Sequence, residues 1–170
     1  MINKCVKFLL AIPFLLCFIS SNPSWALSTD RNQPIKILAD ELEIDESRHI
    51  NIYKGNVDMR QGSLHIVADQ IIFHFTETND IEWLEISGSP ASLTQLNNEN
   101  QPVSGKAINI NYFDSRSLME LKGDAEFKSL LDTIQSNQIS VNTETDALQA
   151  GGASEDNNNG RVEMIIQPKN

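Results

Sequence analysis

Residues 52–75 read IYKGNVDMRQGSLHIVADQIIFHF, and the order of apolar and polar residues in this stretch decides the fold class. Apolar residues take alternate positions in short runs, at Val57 and Met59, then Leu64 and Ile66, then Ile71, Phe73 and Phe75. A period of two is typical of β-strands that bury one face. The stretch therefore predicts a pair of half-buried strands.

The apolar positions change parity twice within this stretch. The step from Ile52 to Val57 is odd and crosses Gly55, and the step from Ile66 to Ile71 is odd as well. A shift of one residue turns the apolar face of a strand over. Each change therefore predicts a bulge, a turn or a corner where the chain passes between two facing sheets.

Two short patterns repeat along the chain and alternate with each other. An apolar-x-small-polar-x-apolar pattern starts at Ile37, Ile66, Val103 and Ile134, and a Gly-x-apolar pattern starts at Gly55, Gly88, Gly123 and Gly151. Small residues suit sharp strand corners, because a large side chain would clash with the opposite sheet. Short strands with recurring corners predict stacked rungs, as in a solenoid or a rolled double sheet. The parity change is absent at Gly123, which the pattern does not explain.

The first 26 residues have the parts of a secretory signal. Lys4 and Lys7 precede an apolar run at 6–19, and Ser24-Trp25-Ala26 is a small-x-small cleavage site. We expect cleavage between Ala26 and Leu27. The apolar run is short for a membrane-spanning helix, which favours cleavage. A retained membrane anchor is the alternative.

The remaining chain divides by composition into three parts. Residues 27–150 carry the strand patterns, and the polar residues 27–33 at their start are expected to be loose. Residues 151–160 (GGASEDNNNG) predict a flexible polar link, and residues 161–170 a terminal strand and tail.

Charge and cysteine content exclude several classes of function. Both cysteines, Cys5 and Cys17, lie in the signal, so we expect neither disulfides nor thiol chemistry in the secreted chain. Loss of Lys4 and Lys7 would take the formal net charge from −10 to −12. Such an acidic protein is a poor nucleic-acid binder and has no basic patch for an anionic membrane.

No residue pattern predicts catalysis or a bound metal. His49, His65 and His74 are separated and lack metal-ligand spacing, and the chain has neither a nucleophile elbow nor a phosphate-binding loop. Asp40 and Asp69 recur at predicted corners, where hydrogen bonding to a turn is the expected role. We therefore expect no enzyme activity, no metal and no cofactor.

Five segments carry a resemblance to a known family. In order they are QPIKILADELEID, YKGNVDMRQGSLHIVADQI, GSPASL, QPVSGKAINI and LKGDAEF. Their order and spacing resemble the OstA-like periplasmic family over residues 28–168, including the closing G-R-V-x-x-x-x-x-P.

The resemblance implies a fold and a set of partners. The fold would be an all-β, twisted, V-shaped double-sheet jelly roll (a β-taco) of stacked antiparallel strands with an apolar interior groove. The groove would hold the lipid A acyl chains of lipopolysaccharide. Subunits would join head to tail by strand pairing, between an inner-membrane LptC-type protein and an outer-membrane LptD-type translocon.

Seven residues are expected to contact lipid. The resemblance places four in the groove, and alternation alone adds three: Ile35, Ile37, Leu93 and Tyr112, then Ile44, Ile66 and Phe73. The expected function is a periplasmic bridge that carries lipopolysaccharide from the inner to the outer membrane. Two alternatives remain: a membrane-anchored LptC-type relative, and a structural β-scaffold with a closed core.

Overall fold

The computed structural model describes residues 30–97, 99–151 and 161–168. The expected signal, its cleavage point between Ala26 and Leu27, and the expected link beyond Gly151 lie outside the described residues. Within those residues, no helix is both long and apolar enough to span a bilayer.

The described chain is built almost entirely of β-strands, so the predicted all-β class is confirmed. The strands are β1 Lys36–Leu38, β2 Glu41–Asp45, β3 Ile50–Gln61, β4 Leu64–Phe75, β5 Ile81–Leu96, β6 Pro102–Phe113, β7 Leu118–Lys128, β8 Asp132–Asn142, β9 Leu148–Ala150 and β10 Glu163–Ile166. Two short 3-10 turns, Asp30–Asn32 and Asp114–Arg116, complete the described elements.

All of these strands hydrogen-bond into one antiparallel sheet. Its order is β1-β3-β4-β5-β6-β7-β8-β10, while β2 also pairs with β3 and β9 also pairs with β8. Consecutive long strands are therefore neighbours joined by hairpins. The two layers expected of the jelly roll are the two halves of this single sheet.

The sheet bends along a line of bulges that crosses the middle of the long strands. Pairing shifts register at Lys54/Val57, Val67/Gln70, Ser87/Ala91, Lys106/Asn109 and Lys122/Ala125. Bulges bend strands and increase their twist. We call the half with β1, β10 and residues 57–68, 91–107 and 125–136 leaf A, and the half with β2, β9 and residues 50–54, 70–87, 109–122 and 138–142 leaf B.

The two leaves close on each other next to the bulges. The residues there are fully buried: Val57, Ala91 and Ala107 on leaf A, and Ile71, Ile110, Leu121 and Ile139 on leaf B. Burying a large aliphatic side chain contributes about 1.5–3 kcal/mol, so this row holds the leaves together along the closed edge of the V. The opposite edge consists of the hairpin turns.

The inner face of β3 differs from the prediction. Tyr53 pairs with the fully buried Ile71 and stacks edge-on against Phe73, with ring centroids 5.6 Å apart. Tyr53 rather than Ile52 therefore faces the interior. The step from Tyr53 to Val57 is even, so the expected parity change at Gly55 is wrong.

The glycine corners of β3 and β7 share one construction. Gly55 and Asn56 have φ of 75° and 47°, and Gly123 and Asp124 have φ of 79° and 47°. At each corner these two residues lie opposite a single residue of the next strand, which is the geometry of a β-bulge. The strand therefore bends, but the same face stays inward. This explains why parity is also kept at Gly123.

Asp40 stabilises the first of these corners. Its backbone N–H donates to the Gly55 carbonyl (3.0 Å), and its carboxylate accepts a hydrogen bond from Asn56 Nδ2 (2.8 Å). The predicted turn role of Asp40 is confirmed.

An aromatic ladder covers the outer face of leaf B. His74 stacks on Trp83 with centroids 3.8 Å apart, Trp83 stacks on Phe113 at 5.8 Å, and the Arg116 guanidinium lies 4.0 Å from the Phe113 ring centre. Burial lowers the pKa of His74, although the Glu85 and Glu82 carboxylates oppose this shift. No cluster of His, Cys, Asp or Glu suited to a metal occurs among the residues that the structure describes.

Candidate functional site

A cavity of about 630 Å³ lies between the leaves and extends from the row beside the bulges toward the hairpin turns. Its floor is apolar because alternate residues of each strand point inward from both leaves. The floor consists of Met59, Leu64, Ile66, Leu84, Ile86, Leu93, Ile110, Met119, Phe127 and Val141. We call this cavity the groove.

Polar residues from the hairpin turns form the rim of the groove. The turns of leaf B contribute four carboxylates, from Asp80, Asp114, Glu144 and Asp146, and Asp30 adds another. Among the described residues that line the groove, Arg31 is the only cation. The groove therefore combines an apolar floor with a mostly acidic rim.

Four of the seven predicted lipid contacts line the groove. Ile66 and Leu93 lie on the floor of leaf A and are directly paired across β4 and β5. Ile35 and Tyr112 lie nearer the rim. The structure thus brings these four together, and their contact with lipid stays a prediction.

The other three predicted residues lie elsewhere. Phe73 is almost completely buried between Tyr53 and Phe75, below the groove surface. Ile37 lies on the edge strand β1, where it pairs with Met59 of β3 and packs against the core. Ile44 has 60% of its surface exposed on the edge strand β2 and does not line the groove.

Sequence reasoning missed several floor residues. Met59 and Ile86 belong to the alternating runs, so the period of two could have identified them. Met119 and Phe127 lie on either side of the Gly123 corner, which keeps parity, so alternation along β7 could have identified both as well. Arg31 carried no signal, because the polar segment around it was expected to be loose.

Tyr112 connects the floor to the rim. Its hydroxyl donates to Asp114 Oδ1 (3.2 Å) and accepts a hydrogen bond from Arg31 Nη2 (2.5 Å). Burial raises the pKa of Tyr112, the Arg31 charge opposes the rise, and the Asp114 charge adds to it. The phenol therefore stays protonated at neutral pH and can act as a donor.

This arrangement suits the binding of hydrocarbon. An apolar floor gains about 0.8 kcal/mol for each methylene that it removes from water, whereas an acidic rim repels anions and keeps charged groups outside. Fold and groove together define the class of open β-jelly-roll proteins with an apolar groove.

Comparison with known proteins identifies the family. Residues 36–147 match the family model described as LptA/(LptD N-terminal domain) LPS transport protein. The match spans most of the described sheet, from β1 to the turn before β9. The chain belongs to this family.

Individual relatives extend the likeness to nearly the whole chain. The lipopolysaccharide export system protein LptH of Pseudomonas aeruginosa is 27% identical over 171 residues, which cover 96% of this chain and 98% of LptH. The export system protein LptA of Haemophilus influenzae is 28% identical over 152 residues, covering 88% and 86%. Both relatives are named as components of lipopolysaccharide export.

A solved structure shares the fold. The crystal structure of P. aeruginosa LptH, described as the LptA-homologous periplasmic component of the lipopolysaccharide transport device, superposes with a TM-score of 0.74 at 25% identity. The superposition covers 82% of this chain and 99% of LptH. The predicted jelly-roll fold is thereby confirmed.

Proposed function

We propose that this protein is a periplasmic bridge that binds lipopolysaccharide and carries it from the inner to the outer membrane. The observation that carries the proposal is the apolar groove, open along the hairpin turns and bordered by carboxylates. The family and the names of the relatives support the same assignment. A structural scaffold with a closed core does not fit this groove.

The groove accounts for the orientation of the lipid. Its volume of about 630 Å³ falls within the usual range of ligand pockets. Acyl chains would lie on the floor formed by residues such as Ile86, Leu93 and Met119, and the phosphates and sugars would stay in water outside the acidic rim. Binding needs no catalytic group, and we propose none.

The two ends of the sheet support head-to-tail association. β1 and β2 are edge strands at one end, and β9 and β10 are edge strands at the other. Unpaired strand edges are templates for pairing with another chain. The edges also expose apolar side chains, among them Leu42 and Ile44 at the first end and Met164 and Ile166 at the last.

Pairing of these edges would extend the groove. Ile44 pairs with Asn51, which itself pairs with Phe73, so Ile44 lies on the interior face of leaf B. In a stack of subunits Ile44 would contact lipid at the junction rather than within one subunit. An LptC-type protein and an LptD-type translocon would occupy the two free ends by the same pairing.

The N-terminal segment fits a periplasmic location. We propose that residues 1–26 are a signal removed after Ala26, so that the secreted chain begins at Leu27. A membrane-anchored LptC-type relative would keep this segment. N-terminal sequencing of the exported protein separates the two, because a start at Leu27 excludes the anchor.

A matched pair of variants on β4 tests lipid binding in the groove. Leu64 lines the groove, whereas Val67 lies on the outer face of the same strand and is 45% exposed. We expect Leu64→Asp to abolish capture of added lipopolysaccharide, because a carboxylate on the floor removes apolar surface and would be buried against the acyl chains without a partner. Val67→Asp should capture it normally. Equal capture by two folded variants, checked by circular dichroism, would exclude the groove as the lipid site.

A further inference from the structure

A short segment lies at the open side of the groove, and its Arg31 side chain reaches from leaf A across to leaf B. Residues Asp30–Gln33, which we call the strap, precede β1 and include a 3-10 turn. The strap is held on leaf A by the β3–β4 turn. Asp30 accepts a hydrogen bond from Ser63 Oγ (2.5 Å), and Gln61 Nε2 donates to the backbone carbonyls of Arg31 (3.2 Å) and Gln33 (3.1 Å).

Gly62 allows the strap to lie against that turn. Its φ is +57°, and a Cβ built on it would overlap the Asp30 side chain. Ser63 Oγ also accepts a hydrogen bond from the Leu96 backbone N–H (3.1 Å), which ties the turn to the next hairpin of leaf A. The strap therefore has several anchors on leaf A, and two of them use its backbone.

The hold on leaf B is of a different kind. There, Arg31 Nη2 donates to Tyr112 Oη (2.5 Å) and to Ser117 Oγ (3.5 Å), and lies 3.6 Å from Asp114 Oδ1. All of these contacts come from one side chain, which is 53% exposed. Exposed ion pairs contribute little, so the contacts that Arg31 makes can be broken at a small cost in free energy.

We propose that the strap is a releasable closure of the groove, hinged on leaf A and latched to leaf B by Arg31. The proposal rests on the proposed function. A lipid with its chains on the floor and its headgroup in water projects through the open side. Such a lipid cannot slide past the strap while the Arg31 side chain bridges that side. Arg31 must therefore leave Tyr112 and Asp114 each time a lipid passes.

A cleavable tether tests this closure. Arg31→Cys and Ser117→Cys, in a chain with Cys5→Ser and Cys17→Ser, place one thiol on the strap and one on leaf B. A disulfide-containing bismaleimide with a spacer about as long as the arginine side chain would join them. We expect the joined protein, exported to and purified from the periplasm, to lose capture of added lipopolysaccharide and to regain it when reductant cleaves the spacer.

Two controls make the outcome decisive. The same variant modified at each thiol with a monofunctional maleimide should capture lipopolysaccharide at the rate of the unmodified double-cysteine variant. Arg31→Ala, which removes the latch alone, should capture it faster, by up to about fivefold, the ratio that the upper range for an exposed ion pair allows.

The possible failures are distinguishable. If the tethered protein captures lipopolysaccharide at the rate of the untethered variant, the closure is wrong and the proposed function stands. Loss of capture with the monofunctional reagent would also overturn the closure, because added bulk rather than the tether would then block the groove. If the unmodified variant and the parent chain capture nothing, the proposed function itself fails.

Discussion

Gly105 on leaf A lies directly against Leu121 on leaf B, so that a Cβ built on Gly105 would come within 2.9 Å of Leu121 Cδ2. Gly105 lies on β6 and Leu121 on the neighbouring strand β7, on opposite sides of the bend in the sheet. The leaves can approach this closely at that point because Gly105 carries no side chain.

Adding a side chain at Gly105 should destabilise the fold. Gly105→Val adds a branched side chain where the leaves touch, and overpacking of this kind costs about 1–3 kcal/mol. Urea unfolding followed by tryptophan fluorescence measures the loss. In the double variant with Leu121→Ala the second change makes room for the first, so the combined loss should be smaller than the sum of the single losses. Additive losses would show that the two residues do not touch.

The corner at Gly55 should tolerate no side chain. Gly55→Ala places a Cβ at a φ of +75° and within 2.5 Å of the Asp40 carboxylate. Left-handed backbone costs an L-residue about 1–2 kcal/mol, and the clash adds to that. Thermal unfolding should show the loss. Asp124→Gly, at a corner residue with φ of 47°, is the control and should unfold no earlier than the parent protein.

Stability should fall in mild acid because of His74. Burial lowers its pKa in the folded protein below the ordinary 6.5, so the unfolded chain binds the proton more readily. The contribution of His74 to the free energy of unfolding is therefore fully present above about pH 6.5. It is lost as the pH falls from there to the lower pKa of the folded state.

Replacing His74 should reduce this dependence of stability on pH. His74→Phe keeps a ring stacked on Trp83 and cannot titrate, so its melting temperature should fall less than that of the parent between about pH 7.5 and about pH 5.5. His49→Asn, in the exposed β2–β3 turn, is the control, and its melting temperature should fall as much as that of the parent protein. An equal fall for His74→Phe would exclude His74 as the source.

Self-association should depend on the last strand. Ile166 is 67% exposed on β10, where the proposed pairing with another subunit would cover it. Ile166→Asp should weaken concentration-dependent association in sedimentation velocity without lowering the melting temperature, because no buried contact is lost. Leu130→Asp is the control, since Leu130 is also exposed but lies in the β7–β8 turn. Equal weakening by both changes would contradict pairing through β10.

The period of two predicted the strands, and the small residues predicted the corners. Gly55, Ala68 and Gly123 all lie at the bulges where the sheet bends. The pattern alone could not show which face of β3 turns inward, because the face with Ile50 and Ile52 is more apolar than the face with Tyr53. The outer face of leaf B has its own apolar cover, with Ile50 buried on it beside the aromatic ladder.

The groove was less predictable than the sheet. Alternation identifies residues that face inward, but it does not separate the closed edge from the open one. Phe73 and Ile66 share the inner face of β4, yet only Ile66 reaches the groove. The strap is a long-range feature: Arg31 and Tyr112 are 81 residues apart, and no local pattern predicts that they meet.

Native mass spectrometry of the protein purified from the periplasm tests the central claim most directly. A groove that carries lipopolysaccharide predicts a bound species whose added mass matches one lipopolysaccharide or its lipid A portion, and which is absent from Leu64→Asp. Protein that carries no lipid, and that gains none when lipopolysaccharide is added, would contradict the account.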